Sequence, residues 1–173
     1  MAELGLMHVY TGGGKGKTTA AFGLALRAWG RGLRVCVIQF MKSGEEYGEV
    51  LAVRRLKGLD LFQFGTGEWV KKGKHAPEDE RMARQALAKA AEALTSGGYD
   101  MVILDEVNVA TYFGLLSPDQ VLRVLRSRGK VEVILTGRNA PEDFIKEADL
   151  VTEMIALKHP YDSGLDARPG VEY

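Results

Sequence analysis

Val9-Tyr10-Thr11-Gly12-Gly13-Gly14-Lys15-Gly16-Lys17-Thr18-Thr19 is the stretch on which the fold turns. An apolar run, Leu6 to Tyr10, enters a loop with four glycines, and a helix pattern begins at Lys17. Strand, glycine loop and helix in that order form the setting of a phosphate-binding loop. Glycines let successive N–H groups turn inward as an anion nest, and the helix start adds its own free N–H groups. Residues Thr11, Gly12, Gly13, Gly14, Lys15, Gly16, Lys17, Thr18 and Thr19 are therefore candidates to hold a nucleotide triphosphate. Lys17 would reach the phosphates, and the Thr18 hydroxyl would sit on Mg²⁺. The usual spacing places a first glycine where this chain has Thr11.

A length of 173 residues suits one domain with a real core, spanning 1–173. The 23 basic and 23 acidic residues balance, which argues against nucleic acid as the main partner. Residues 1–87 hold 14 basic and 9 acidic groups, and residues 88–173 reverse those numbers. Such a split fits a phosphate-binding half and a metal-binding half, although solvated surface charge accounts for most of it. Cys36 stands alone in the apolar run Val35 to Ile38, so it reads as a small buried hydrophobe in a reducing compartment. With no signal-like start and no apolar run of spanning length, the expectation is a cytoplasmic protein without a membrane partner.

Lys17 to Trp29 predicts a helix whose stripe is Phe22, Ala25, Leu26 and Trp29. Arg34 to Gln39 is a second strand, and the polar loop after it carries Phe40 and Lys42. A short helix over Val50 to Leu56 precedes a third strand, Leu59 to Phe64. The next loop, Gly65-Thr66-Gly67-Glu68-Trp69, places a tryptophan among Lys71, Lys72 and Lys74 without periodic apolar company. That tryptophan suits a large flat ligand better than a core. Pro77 opens a helix with Met82, Ala86, Ala90 and Leu94 on one stripe; His75, just before it, has no metal-ligand spacing and reads as surface.

Met101-Val102-Ile103-Leu104-Asp105-Glu106 describes a buried parallel strand that delivers carboxylates to its carboxyl end, the Walker B arrangement. In an extended chain the two carboxylates point to opposite faces, so one of them would face a metal directly. An apolar, partly helical segment holding Asn108 and Phe113 follows. Ser117 to Gln120 then has capping-box spacing for a helix to Arg126. Val131 to Thr136 is a fifth strand whose end presents Arg138, suited to phosphate or carboxylate. Pro141 starts a short helix, Leu150 to Ile155 makes a sixth strand, and 156–173 form an aperiodic tail. Alternation of strands and helices gives a three-layer α/β/α fold on a mainly parallel sheet of about six strands. At this point a small-molecule kinase or ATP hydrolase stays open, with Glu106 as its base. A GTPase does not, because no Asn/Thr-Lys-x-Asp is present.

Taken in order, the run from Tyr10-Thr11 through Ala20-Ala21-Phe22-Gly23, Gln39-Phe40-Met41-Lys42, Gly48-Glu49, Gly65-Thr66-Gly67, Leu104-Asp105-Glu106, Thr136-Gly137-Arg138 and Lys158-His159-Pro160 through Gly170-Val171-Glu172-Tyr173 resemble the P-loop ATP:corrinoid adenosyltransferases. The resemblance covers Val9 to Tyr173. It implies a P-loop NTPase (RecA-like) sheet in the order 3-2-4-5-1-6. It also implies transfer of the 5′-deoxyadenosyl group of ATP to a reduced Co(I) corrinoid, with release of triphosphate. Mg²⁺ or Mn²⁺, a homodimer and an electron-donating reductase for Co(II) come with it. Under this reading Lys17, Glu106 and Arg138 are catalytic. Thr18 holds the metal with Asp105 or Glu106, the family's carboxylate mapping to Glu106. Phe40, Lys42, Trp69 and Phe113 face the corrinoid, and the tail 156–173 packs near the site. Trp69 stands one residue closer to Gly65-Thr66-Gly67 than the family's aromatic. A corrinoid carrier that binds without turnover is the non-catalytic alternative.

Overall fold

The computed structural model describes residues 4–70 and 72–172. Lys71 of the basic loop and the closing Tyr173 lie outside the described residues. Six strands run β1 (Met7–Thr11), β2 (Val35–Phe40), β3 (Leu59–Phe64), β4 (Met101–Asp105), β5 (Glu132–Thr136) and β6 (Leu150–Glu153). Between them lie α1 (Lys17–Gly30), α2 (Gly48–Val53), α3 (Pro77–Thr95), α4 (Val107–Tyr112), α5 (Pro118–Leu125) and α6 (Glu142–Glu147). The strand order is β3-β2-β4-β5-β1-β6, and every pairing is parallel. The implied order is therefore found.

Strand periodicity sorts the two cores. Val35 and Val37 join Ile103 and Ile134 beneath α1, while Cys36, Ile38 and Phe40 join Val9, Val102 and Leu104 beneath α3. Side chains alternating across the sheet make this division. Both faces of the central strands are covered, so β2, β4 and β5 are buried throughout. Cys36 belongs to this interior, and burial lifts its thiol to about 12, an inert hydrophobe as read.

One stripe differs from the expectation. The face of α1 set against the sheet is Ala21, Ala25 and Ala28, and Leu26 is exposed. Alanines let the helix axis approach the strands closely, leaving Phe22 and Trp29 to cover the flanks half-buried. The capping box forms as read: the Ser117 hydroxyl accepts from Gln120 N–H at 3.2 Å, and Gln120 Oε1 accepts from Ser117 N–H at 2.8 Å. His75 is half-buried rather than on the surface, with Nε2 3.0 Å from Glu80 Oε1. This pair brings the loop against the first turn of α3.

Candidate active site

The parallel sheet points every strand's carboxyl end to one edge, where such folds gather ligand groups. The phosphate loop leaves β1 there, and its glycines are needed for close approach. A Cβ on Gly12 would lie 2.4 Å from the Met154 carbonyl oxygen, and one on Gly14 would meet Met154 and Ile155 backbone at 2.8 Å. Gly14 N–H donates to the same Met154 carbonyl at 2.8 Å. The chain after β6 thus braces the loop from outside. Lys15 extends the brace: its ammonium donates to the Val171 carbonyl at 3.0 Å and to Glu172 Oε1 at 2.9 Å. Arg168 holds the same carboxylate, and the two cations bring Glu172 down to about 2.

Thr11, where the usual spacing has glycine, is the last residue of β1. Its hydroxyl accepts from Ala140 N–H at 3.1 Å and ties the loop to the turn carrying Arg138. Lys17 is buried beneath the loop, donating to the Gly12 and Gly14 carbonyls at 2.8 and 2.6 Å. Burial lowers its pKa, while Glu106 works in the opposite direction. Arg138 is exposed and near enough to weigh on both Lys17 and Glu106.

Asp105 is fully buried and accepts four hydrogen bonds. Thr18 and Thr136 hydroxyls donate to Oδ1 at 2.9 and 2.6 Å; Gln39 Nε2 and Lys42 Nζ donate to Oδ2 at 3.0 and 2.8 Å. Burial alone would raise this carboxyl, yet Lys42 and the hydroxyls hold it below the ordinary aspartate range. For Lys42, burial disfavours the charge, but Asp105 outweighs it and the ammonium is held above its usual value.

Glu106 differs in every respect. The chain is no longer extended there: Glu106 has φ 65°, left-handed, and caps α4. A turn, not the strand pleat, thus separates the two carboxylates, and the alternation expected of an extended chain does not apply to them. Glu106 N–H donates to the Thr136 hydroxyl at 3.0 Å, while its carboxylate has no hydrogen bond among the described residues. Burial first, and the Asp105 charge second, raise its pKa.

This donor set fits Mg²⁺. The Thr18 hydroxyl donates to Asp105 and keeps its oxygen lone pairs for a cation, and the Glu106 carboxylate has no hydrogen-bond partner among the described residues. Among the described residues no group of three or more acidic, His or Cys side chains could form a cage. Mg²⁺ requires none, since it takes one or two carboxylates and completes its shell with phosphate and water.

The corrinoid-facing candidates are distributed differently. Trp69 is 95% exposed on the loop after β3. Phe113 is half-buried, its ring 5.9 Å from that of Tyr112, over which Lys72 places its ammonium. Phe40 is fully buried in the α3-side core, and Lys42 turns inward to Asp105. Three polar residues had no individual signal in the sequence. Gln39 and Gln63 form a relay to Asp105, with Gln63 Nε2 donating to Gln39 Oε1 at 2.9 Å. Asn108, fully buried, donates to the Tyr10 and Gly137 carbonyls at 3.3 and 3.1 Å, fastening β1 to the Thr-Gly-Arg turn.

A family model described as ATP:corrinoid adenosyltransferase BtuR/CobO/CobP matches residues 3–173. The corrinoid adenosyltransferase of a Sinorhizobium species is 41% identical over 175 residues, spanning 99% of this chain and 81% of that protein. Its counterpart in Pseudomonas aeruginosa is 37% identical, with 99% and 85% of the two chains covered. That of Escherichia coli K12 is 36% identical, covering 99% and 87%.

Proposed function

Because the chain belongs to the ATP:corrinoid adenosyltransferase family, we propose that it transfers the 5′-deoxyadenosyl group of ATP to the cobalt of a Co(I) corrinoid in the making or salvage of adenosylcobalamin. The observation that carries this is the match over residues 3–173, which takes in the phosphate loop, the carboxylate pair and the closing tail.

The reaction forms a Co–C bond and breaks the bond from C5′ to its phosphate oxygen. Cobalt supplies the electron pair, and the breaking bond's electrons leave with triphosphate. Negative charge therefore grows on the oxygen of the α-phosphate. The Lys17 ammonium and the free N–H groups at the start of α1 would meet that charge, while Gly14 N–H is already given to the Met154 carbonyl. Lys17 would exchange the Gly12 and Gly14 carbonyls for phosphate oxygens. Arg138, exposed on its turn and close enough to act on Glu106 and Lys17, would add a second cation. Thr18 and Glu106 would hold Mg²⁺ or Mn²⁺, which supplies charge neutralisation to the leaving group. No general base is required, so the remaining task is in-line placement of cobalt and carbon.

Corrinoid would lie over the loops after β2 and β3, with Trp69 and Phe113 as its aromatic wall. Such a wall excludes a lower axial ligand and makes Co(II) easier to reduce, and the electron comes from a separate reductase. Exposed apolar side chains along β6 support a homodimer. Among the described residues, no helix is long and apolar enough to cross a membrane.

The test is a product assay. The protein is incubated with ATP, Mg²⁺ and chemically reduced corrinoid, and both products are identified. A light-sensitive Co–C corrinoid and triphosphate in equal amounts are expected; ADP or orthophosphate as the sole product overturns the reading in favour of a kinase or hydrolase.

A further inference from the structure

Asp105 has no capacity left for a metal. An ionised carboxylate offers about four lone-pair sites, and the two threonines, Gln39 and Lys42 occupy them. Three of these donors are neutral. Lys42 alone brings a positive charge, and it lies 2.8 Å from Oδ2. A divalent cation approaching Asp105 would have to displace this ammonium or share its position.

The backbone sets Lys42 there. Met41 N–H donates to the Phe64 carbonyl at 2.8 Å, and Met41 itself has φ 59°. This left-handed residue bends the chain at the end of β2, and the Lys42 side chain reaches Asp105 at the end of β4. Gly65 closes the turn from the next loop: a Cβ there would lie 2.6 Å from both the Lys42 nitrogen and the Met41 carbonyl carbon. Lys42 is thus gripped by two adjacent loops, with its side chain only 22% exposed.

We propose that Lys42 is a positioning residue that bars the metal from Asp105 and so confines it to Thr18 and Glu106. This rests on the adenosyltransferase reading, because the metal comes with it. Asp105 then serves to orient the Thr18 hydroxyl, while Glu106 remains the single protein carboxylate for the cation. Confinement matters because the metal's position fixes the triphosphate, and the triphosphate fixes the line from cobalt to C5′. Lys42 accordingly serves the phosphate side of the reaction, not the corrinoid.

The experiment measures Mn²⁺ binding by electron paramagnetic resonance, with ATP present at the protein concentration and no corrinoid. Glu106→Gln is compared in the native and the Lys42→Met backgrounds. In the native background it should weaken Mn²⁺ binding at least about tenfold. With Lys42→Met, Asp105 becomes open to the metal, and the same change should cost less than about threefold. Lys42→Arg should behave as the native protein, since the cation is kept. Lys42→Gln serves in place of Lys42→Met should the latter not fold, as judged by circular dichroism. Equal losses from Glu106→Gln in both backgrounds overturn the proposal. So does Mn²⁺ binding indifferent to Glu106→Gln in the native background, or a Lys42→Met change that raises only the KM for corrinoid. Products are scored separately: ADP from the native protein would defeat the transfer reading and leave the Mn²⁺ result standing.

Discussion

Glu106 carries a charge that the fold does not welcome. Its folded pKa lies above the ordinary value, through burial and then through Asp105, so ionisation opposes folding. Below the unfolded glutamate pKa of about 4.3 the carboxyl is protonated in both states and nothing is lost. Stability then falls as pH rises through the raised folded pKa. Glu106→Gln should therefore raise the Tm of the protein without ATP or metal at neutral pH, and the gain should vanish toward about pH 4.3. Mg²⁺ with ATP should reverse the ranking, because binding stabilises only the form that can hold the ligand. Thermal melts across pH, with and without Mg²⁺ and ATP, check both halves; a variant less stable than the native protein in the absence of ligand defeats the prediction. Asp105 has the opposite sign. Its folded pKa is depressed, so its contribution is present above the unfolded aspartate pKa and is lost as pH falls through the folded one. Trp69 gives a different test, because its side chain is exposed and its removal should leave the Tm unchanged. Trp69→Ala should slow transfer starting from Co(II) corrinoid more than transfer from preformed Co(I). Equal losses from both starting states would remove the axial-ligand role.

At the scale of elements, the loops after β2 and β3 act as one piece, joined backbone to backbone at Gly65 and Lys42. Gly65→Ala has no room to be absorbed by a side-chain rotation, since its neighbours are main-chain atoms. It should cost about 1–3 kcal/mol of stability, the usual penalty of overpacking, and lower turnover by shifting Lys42 and Trp69 together. Denaturant melts and initial rates measure the two effects, and a variant with native turnover would uncouple the loops. The elements themselves were legible in the sequence because their signals are local. Glycine spacing marked the phosphate loop, Ser117 to Gln120 marked a cap, and apolar runs ending in acid or Thr-Gly-Arg marked β4 and β5. Side-chain direction was less legible. Period two from Cys36 through Ile38 already sends Phe40 into the core, yet its position after the strand suggested a ligand loop. Lys42 turns inward because of a left-handed Met41, and no composition signal announces a non-glycine residue in that region. The Gln63–Gln39–Asp105 relay joins three strands across the sheet, and such pairing is invisible until register is known.

For the whole molecule, the asymmetric feature is the β6 edge. This strand pairs with β1 on one side only, and all four of its residues are exposed. Beyond it, Ile155 and Leu157 are 71% and 92% exposed. An open strand edge flanked by large apolar side chains is what a folded protein ordinarily protects with charge, proline or a covering element. A second copy of the chain would cover it. The same segment touches the phosphate loop through Met154 and Gly14, so a partner seated on β6 would also steady the nucleotide site. Val151→Lys with Leu157→Asp adds charge at the edge while leaving the Met154 contacts in place. Light scattering after size exclusion should give a dimer for the native chain and a monomer for this variant. The monomer should also bind ATP more weakly, because the brace on Gly12 and Gly14 then lacks support. A native chain that runs as a monomer removes the dimer. A monomeric variant with undiminished ATP affinity shows that β6 steadies the loop without help from a partner.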